Sequence, residues 1–373
     1  MNNYFNKFES SLEAHSNVSD VLDAEDITQV EKLEKEFASY IGVKYALATS
    51  HGTSALHLAM LAIELKRGDK IICSVNSHPN VPEVVRHFDA EPIFIDIDNQ
   101  SYNLDLNLLE DYLEANQSKK LKAVIVTHIG GNNVDLEKLY RMAETYNVKI
   151  IEDASDAYGA NANGHKIGSK GKGITCFDFS AHMKKNICNG GMLVTNDETI
   201  MDRARLLSNH AMIVDEKTLD YIYDVTDIGN DYSMSELDAG YIRAQLKEQD
   251  KNIVRHKEIA KLYAKYLDGV EHIVLNQDVN EDNPYLLYII KVDKNRDSFA
   301  SELRNVGVHT ALHYIPLHLL SYYKTKYSLR VNDFPVALKV YQQILSLPIY
   351  PSLEDKEVKS ICDKIKKVAQ TRV

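Results

Sequence analysis

Short apolar runs and amphipathic stretches alternate along most of the chain. ITQVEKLEKEFASYIG places apolar residues at helical spacing and stops at Gly42, a residue suited to ending a helix. YALATS then reads as a short strand, and SHGTSALHLAMLAIEL as a helix opening at Gly52, Thr53 and Ser54. The alternation continues with GDKIICSVNSH (strand and loop), VPEVVRHF (helix), AEPIFIDID (strand), NLDLNLLEDYLEAN (helix), LKAVIVTHIGG (strand and turn), DLEKLYRMAETYN (helix) and VKIIED (strand). The strand runs are rich in β-branched residues and lack period-two polarity, as expected of a parallel sheet covered on both faces.

After Asp197, ETIMDRARLLSNH reads as a helix, and SELDAGYIRAQLKEQDKNIVRHKEIAKLYAKYL as a long charged helix polar enough to bridge two domains. Beyond it, PYLLYIIKV is strand-like, RDSFASELRNVG helical, and VALKVYQQILSLP helical up to Pro348. The pattern predicts an α/β protein with a large, mostly parallel-sheet domain over residues 1–245 and a smaller C-terminal α+β domain over residues 246–373.

Length and composition narrow the class. A chain of 373 residues can bury a sizeable core, and 44% hydrophobic with 26% charged residues is ordinary for a globular protein. A formal net charge of -11 argues against a nucleic acid or an anionic membrane surface as the main partner. No run approaches the ~18 apolar residues of a membrane span, and the polar start MNNYFNKFESSLEAHSN has no apolar core of signal-peptide length, so a cytoplasmic location is expected. Cys73, Cys176, Cys188 and Cys362 show no CxxC spacing; buried thiols are expected, with neither metal site nor disulfides.

The stretch from Ile150 to Asp197 carries the strongest chemical signal. IIEDASDAYGA ends a strand in Glu152 and Asp153, and ITCFDFSAHMKKNICNGGMLVTND runs a second strand into a segment holding Lys184 and Lys185. A carboxylate and an amine are thus delivered to strand ends, where open α/β sheets build their sites, and a lysine there suggests imine chemistry. Solvated lysines on a surface turn are the alternative reading. Pyridoxal phosphate needs a lysine, a carboxylate for its ring nitrogen, a stacking group and a phosphate cradle. Lys184 or Lys185, Asp153, His78 at another strand end, and Gly52, Thr53 and Ser54 at a helix start supply one candidate each. Taken singly, each is more often a cap or loop residue.

The ordered set FASYIGVKYALATSHGTSALHLAMLAI, AEPIFIDID, VTHIGGNNVDLEKL, IIEDASDAYGA, GGMLVTND, DYSMSELDAGYIRAQL, LHYIPLH and LSLPIYPSL resembles the DegT/DnrJ/EryC1/StrS family of PLP-dependent sugar aminotransferases, from about Ile27 onward. The resemblance implies the fold-type I aminotransferase architecture and a homodimer with shared active sites. It implies Asp153 at the pyridinium nitrogen, Thr53 and Ser54 at the phosphate, and His78 as the stacking group. Asp156 falls near the ring hydroxyl, where most members carry Gln or His and the dehydratase branch carries Asp. His313, Tyr314 and His318 fall in the substrate-side segment, although packed or half-buried rings are the commoner fate of such residues.

The lysine segment departs from the family pattern. Members read like FSFHxxKNITTGEGG; laid without gaps on FDFSAHMKKNICNGG, the lysine falls on Met183 and the phosphate serine on Asp178. A compensated two-residue insertion instead matches Ser180 to the phosphate and Lys185 to the imine, and a one-residue shift selects Lys184. A second departure is Asp231 and Ser233 where members carry Asn and Arg that reach the neighbouring subunit's cofactor or substrate.

The resemblance implies an aminotransferase that moves an amino group from L-glutamate to a keto nucleotide sugar or other phosphorylated ketone in surface-glycan synthesis. A PLP- or PMP-dependent sugar 3-dehydratase, a cofactor-free binding homologue, and a PLP lyase or decarboxylase on the same fold type are the alternatives.

Overall fold

The computed structural model describes residues 12–23, 29–180, 188–214, 222–275 and 279–371. The chain opens with helices α1 (Leu12–Asp23) and α2 (Gln29–Ile41), then enters strand β1 (Tyr45–Thr49) and helix α3 (Gly52–Ala62). Alternation follows: β2 (Lys70–Ser74), α4 (Asn80–Arg86), β3 (Glu91–Ile95), α5 (Leu106–Ala115), β4 (Leu121–Thr127), α6 (Leu136–Tyr146) and β5 (Lys149–Asp153). A small hairpin of β6 (Asn161–Ala162) and β7 (His165–Lys166) leads to β8 (Ile174–Asp178), β9 (Gly191–Thr195) and α7 (Glu198–Leu207).

Seven of these strands form one sheet in the order β1-β9-β8-β5-β4-β2-β3. Only β9 runs against its neighbours; the pairings of β8, β5, β4, β2 and β3 are parallel. Both faces are covered, as the unbroken apolar runs require. Ile71, Cys73, Ile125, Ile151, Cys176 and Leu193 pack with α3, α4 and α7 on one side. Ile72, Val124, Val126 and Ile150 meet α5 and α6 on the other, where Ala46, Phe177 and Val194 meet α2. The parallel strands therefore end together, with Thr49, Ser74, Thr127, Asp153 and Asp178 along one edge.

A second hairpin, β10 (Met212–Val214) with β11 (Tyr223–Val225), precedes helix α8 (Glu236–Leu267), which runs for 32 residues. Its first turns, from Ala239 to Leu246, pack in the core of the large sheet, and Ile259 to Leu267 pack in a separate core. That second core lies on an antiparallel sheet of β12 (Ile273–Leu275), β13 (Tyr288–Val292) and β14 (Ile344–Leu347), with helices α9 (Arg296–Asn305), α10 (Ser321–Lys326), α11 (Pro335–Gln343) and α12 (Asp355–Gln370) around this part of the chain.

Two features differ from the sequence reading. The polar start contains α1, whose Ala14 and Val21 are buried and whose Asn17 side chain donates to the Gly240 carbonyl of α8 at 3.0 Å. The segment read as one helix up to Pro348 changes at Gln343: ILSL is strand β14, paired with β13. An apolar run of four has no period of its own, so pairing with β13 decides its conformation. The four cysteines are buried free thiols.

Leu347 is fully buried in the β13–β14 core. Leu347→Ala is expected to destabilise the protein by about 2–5 kcal/mol, read from denaturant unfolding; a loss below ~1 kcal/mol would contradict this packing.

Candidate active site

Asp153 ends β5 in register with Thr127 of β4 and Cys176 of β8. Its buried carboxylate accepts the Ser155 hydroxyl at 2.6 Å and amide at 3.2 Å on Oδ1, and the Thr127 hydroxyl at 3.5 Å on Oδ2. Asp156, also buried, accepts the Gly130 amide at 3.3 Å and the Tyr314 hydroxyl. Tyr314 reaches this edge from the C-terminal part of the chain, and the ring of His78, in the loop after β2, stands 5.8 Å from it at 75°.

Asp178 ends β8 opposite Gly191 of β9, which in turn faces Thr49 of β1. Alternation along the strands turns Asp153, Cys176 and Asp178 toward the α3 side. The Asp178 side chain lies against the first residue of α3: a Cβ on Gly52 would stand 2.7 Å from Asp178 Oδ2. Gly191 is forced in the same way, since a Cβ there would strike the His51 carbonyl and come 2.6 Å from the Gly52 nitrogen. Ser180 donates its amide at 2.7 Å and hydroxyl at 2.6 Å to Asp178 Oδ1. Thr53 Oγ1 accepts from Asn80 Nδ2 at 3.1 Å, and the Ser54 hydroxyl shares a hydrogen bond with that of Ser50 at 3.0 Å.

Burial, then the charges of Asp156 and Asp178, raise the Asp153 carboxyl above its ordinary value, opposed by the two Ser155 bonds. Burial, followed by Asp156, Asp153 and Asp178, drives the Tyr314 phenol well above its usual range. A cation against Asp153 would relieve this crowding.

The structure thus brings Gly52, Asp153, Asp156, Ser180, His78 and Tyr314 to one edge of the sheet, with Thr53 and Ser54 following on α3. The remaining sequence candidates make other contacts. Asp231 is exposed and held by the Ser233 amide and hydroxyl, which lower its carboxyl. His313 Nδ1 pairs with the Ser346 hydroxyl at 2.9 Å. His318 is fully buried, donates Nε2–H to the Val331 carbonyl at 3.1 Å and packs on Phe334, so its ring is a packing element beside the core that Phe334 shares with Val75 and Ile129. Lys184 and Lys185 lie outside the described residues.

Sequence reasoning missed the role of Glu152. This buried carboxylate meets His128 Nε2 at 2.9 Å, the Tyr140 hydroxyl at 2.7 Å and the Thr175 hydroxyl at 3.3 Å. The available signal was parity: Glu152 and Asp153 are adjacent in a strand and must face opposite sides. Among the described residues, no group of three His, Cys, Asp or Glu could hold a metal ion, and no helix is long and apolar enough to cross a membrane.

A parallel sheet with a buried carboxylate at a central strand end, facing a helix start, is the site layout of fold-type I aminotransferases. The DegT/DnrJ/EryC1/StrS aminotransferase family model matches residues 10–366, and the chain belongs to that family. It is therefore an enzyme of the pyridoxal-phosphate-dependent aminotransferase class. The spore coat polysaccharide biosynthesis protein SpsC of Bacillus subtilis is 31% identical over 92% of this chain and 90% of its own. GDP-perosamine synthase of Escherichia coli O157:H7 is 29% identical over 90% and 89%. The crystal structure of DesV from S. venezuelae superposes with a TM-score of 0.86 at 27% identity, covering 97% of this chain and 95% of that one. The cofactor fits the ring end of the site, where Asp153 is a buried carboxylate crowded by like charge.

Two measurements test this arrangement. Because Asp153 holds its proton more tightly folded than unfolded, its contribution to stability is full below about 3.8, the ordinary value, and is lost as pH rises through the raised one. Apo Asp153→Asn should therefore be more stable than the parent at neutral pH, with the gap closing toward acid in urea unfolding; a pH-independent gap defeats the assignment. Tyr140→Phe should cost about 1–3 kcal/mol by the same method, since it removes a donor from the buried Glu152.

Proposed function

We propose that the enzyme transfers the amino group of L-glutamate to the keto carbon of a nucleotide-linked sugar, or of another phosphorylated ketone, in surface-glycan synthesis. The observation that carries this reading is the buried Asp153 at the end of β5 in a chain of the sugar-aminotransferase family. Relatives named for spore coat polysaccharide biosynthesis and GDP-perosamine synthesis support the substrate class.

When bound, pyridoxal phosphate supplies an electron sink for the pair released as a C–H bond beside nitrogen breaks. Asp153 keeps the ring nitrogen protonated, because a carboxylate raised by burial and like charge gains most from a cation beside it. Asp156, braced by Gly130 and Tyr314, fixes the edge bearing the ring hydroxyl. His78 would stack on the ring, and Gly52, Thr53, Ser54 and Ser180 would hold the phosphate. Lys185, or Lys184 in the one-residue register, provides the amine that binds the cofactor and moves the proton.

His313 and Tyr314 border the sugar. His318, tied to Val331, shapes that loop from behind. The protein works in the cytoplasm as a homodimer, with the exposed Asp231 directed to the partner's site, and its two domains divide at residue 245 within α8.

Incubation with L-glutamate and a panel of keto nucleotide sugars should yield aminated sugar and 2-oxoglutarate in equal amounts. Loss of a ring hydroxyl without amination would instead make the enzyme a 3-dehydratase. Asp153→Asn should lower kcat/KM by about 100-fold or more. Borohydride reduction of the loaded enzyme followed by peptide mapping should label Lys185 or Lys184, and a label elsewhere overturns that assignment.

A further inference from the structure

The start of α3 is the positive end of a helix dipole, and its N-cap residue His51 makes no side-chain cap there. The Asp178 carboxylate is already set against it, with Oδ2 2.7 Å from the Gly52 Cβ position. Two bonds from Ser180 hold the other oxygen, Oδ1, so the side chain is fixed in place. Gly52 and Gly191, neither with room for a Cβ, let helix start, β8 and β9 approach this closely. Asp178 also adds like charge to Asp153 and Tyr314, so the carboxylate belongs to the cofactor-facing edge.

We infer that Asp178 is a resident anion in the phosphate seat of the cofactor site, and that it makes this chain hold phosphate-bearing ligands weakly. A phosphate arriving at α3 meets a carboxylate that shares the same helix end, and Ser180, one of the hydroxyls assigned to it, is committed to Asp178. The phosphate gains its seat only as Asp178 turns away and releases Ser180. The penalty falls on the phosphate and not on the ring, which Asp153 and Asp156 serve. This inference rests on the proposed assignment of the site to pyridoxal phosphate, but its charge argument applies to any phosphate at α3.

The test compares the full-length protein with Asp178→Ser, which removes the carboxylate, and Asp178→Asn, which keeps an oxygen for Ser180 and guards against a folding defect. Binding of pyridoxal phosphate, pyridoxal and inorganic phosphate is measured by titration calorimetry. Both variants should bind pyridoxal phosphate and inorganic phosphate at least about tenfold more tightly than the parent, with no gain in pyridoxal affinity; a tenfold gain corresponds to about 1.4 kcal/mol. Equal phosphate affinity in parent and variants, or a gain shared equally by pyridoxal, overturns the inference. Failure of every form to bind pyridoxal phosphate would defeat the proposed function, while the inorganic phosphate titration still decides the role of Asp178.

Discussion

The buried carboxylate of Glu152 is the interaction on which the site depends. It joins the His128 ring just beyond β4, the Tyr140 hydroxyl of α6 and the Thr175 hydroxyl of β8 to β5, with His128 and Glu152 both essentially without solvent exposure. A polar group so placed is tolerated only while its partners remain, because removing one leaves it incompletely satisfied. The network therefore locks the rotation of β5 between its neighbours. Successive strand residues face opposite ways, so holding Glu152 toward α6 aims Asp153 toward α3.

Common strand direction then gathers the chemistry. β4, β5 and β8 end side by side, which puts Thr127, Asp153 and Asp178 at one edge without any long-range signal beyond their pairing. The antiparallel β9 is the exception that brings Gly191 to this edge and lets the start of α3 come close. A side chain at either glycine would separate helix and sheet and open the seat that Asp178 now faces.

The C-terminal part of the chain completes the site from outside the large sheet. Asp96, just beyond β3, accepts the Val336 and Ala337 amides at 3.0 and 2.9 Å and so caps α11. The Leu317 amide bonds the Val75 carbonyl at 2.9 Å, and the Tyr323 hydroxyl bonds the Pro79 carbonyl at 3.2 Å. These ties hold the chain that follows Tyr314 against the large sheet. The acidic end of AEPIFIDID here anchors a helix.

Local pattern was enough for most elements, because the periods of strands and helices are written in neighbouring residues. The alternation from β1 to β5, the long α8 and the position of Asp153 at a strand end were all legible in this way. α1 was not, since its buried residues gain cover from distant elements such as α8, and β14 was not, since four apolar residues take their conformation from β13. The site divides along the same line. Sequence alone determined which residue types the chemistry could use and that Asp153 would end an apolar strand. Tertiary structure decided that Glu152 is a support, that His318 is packing and that Asp178 stands at the α3 start, because each depends on which face a side chain takes and which distant backbone it meets.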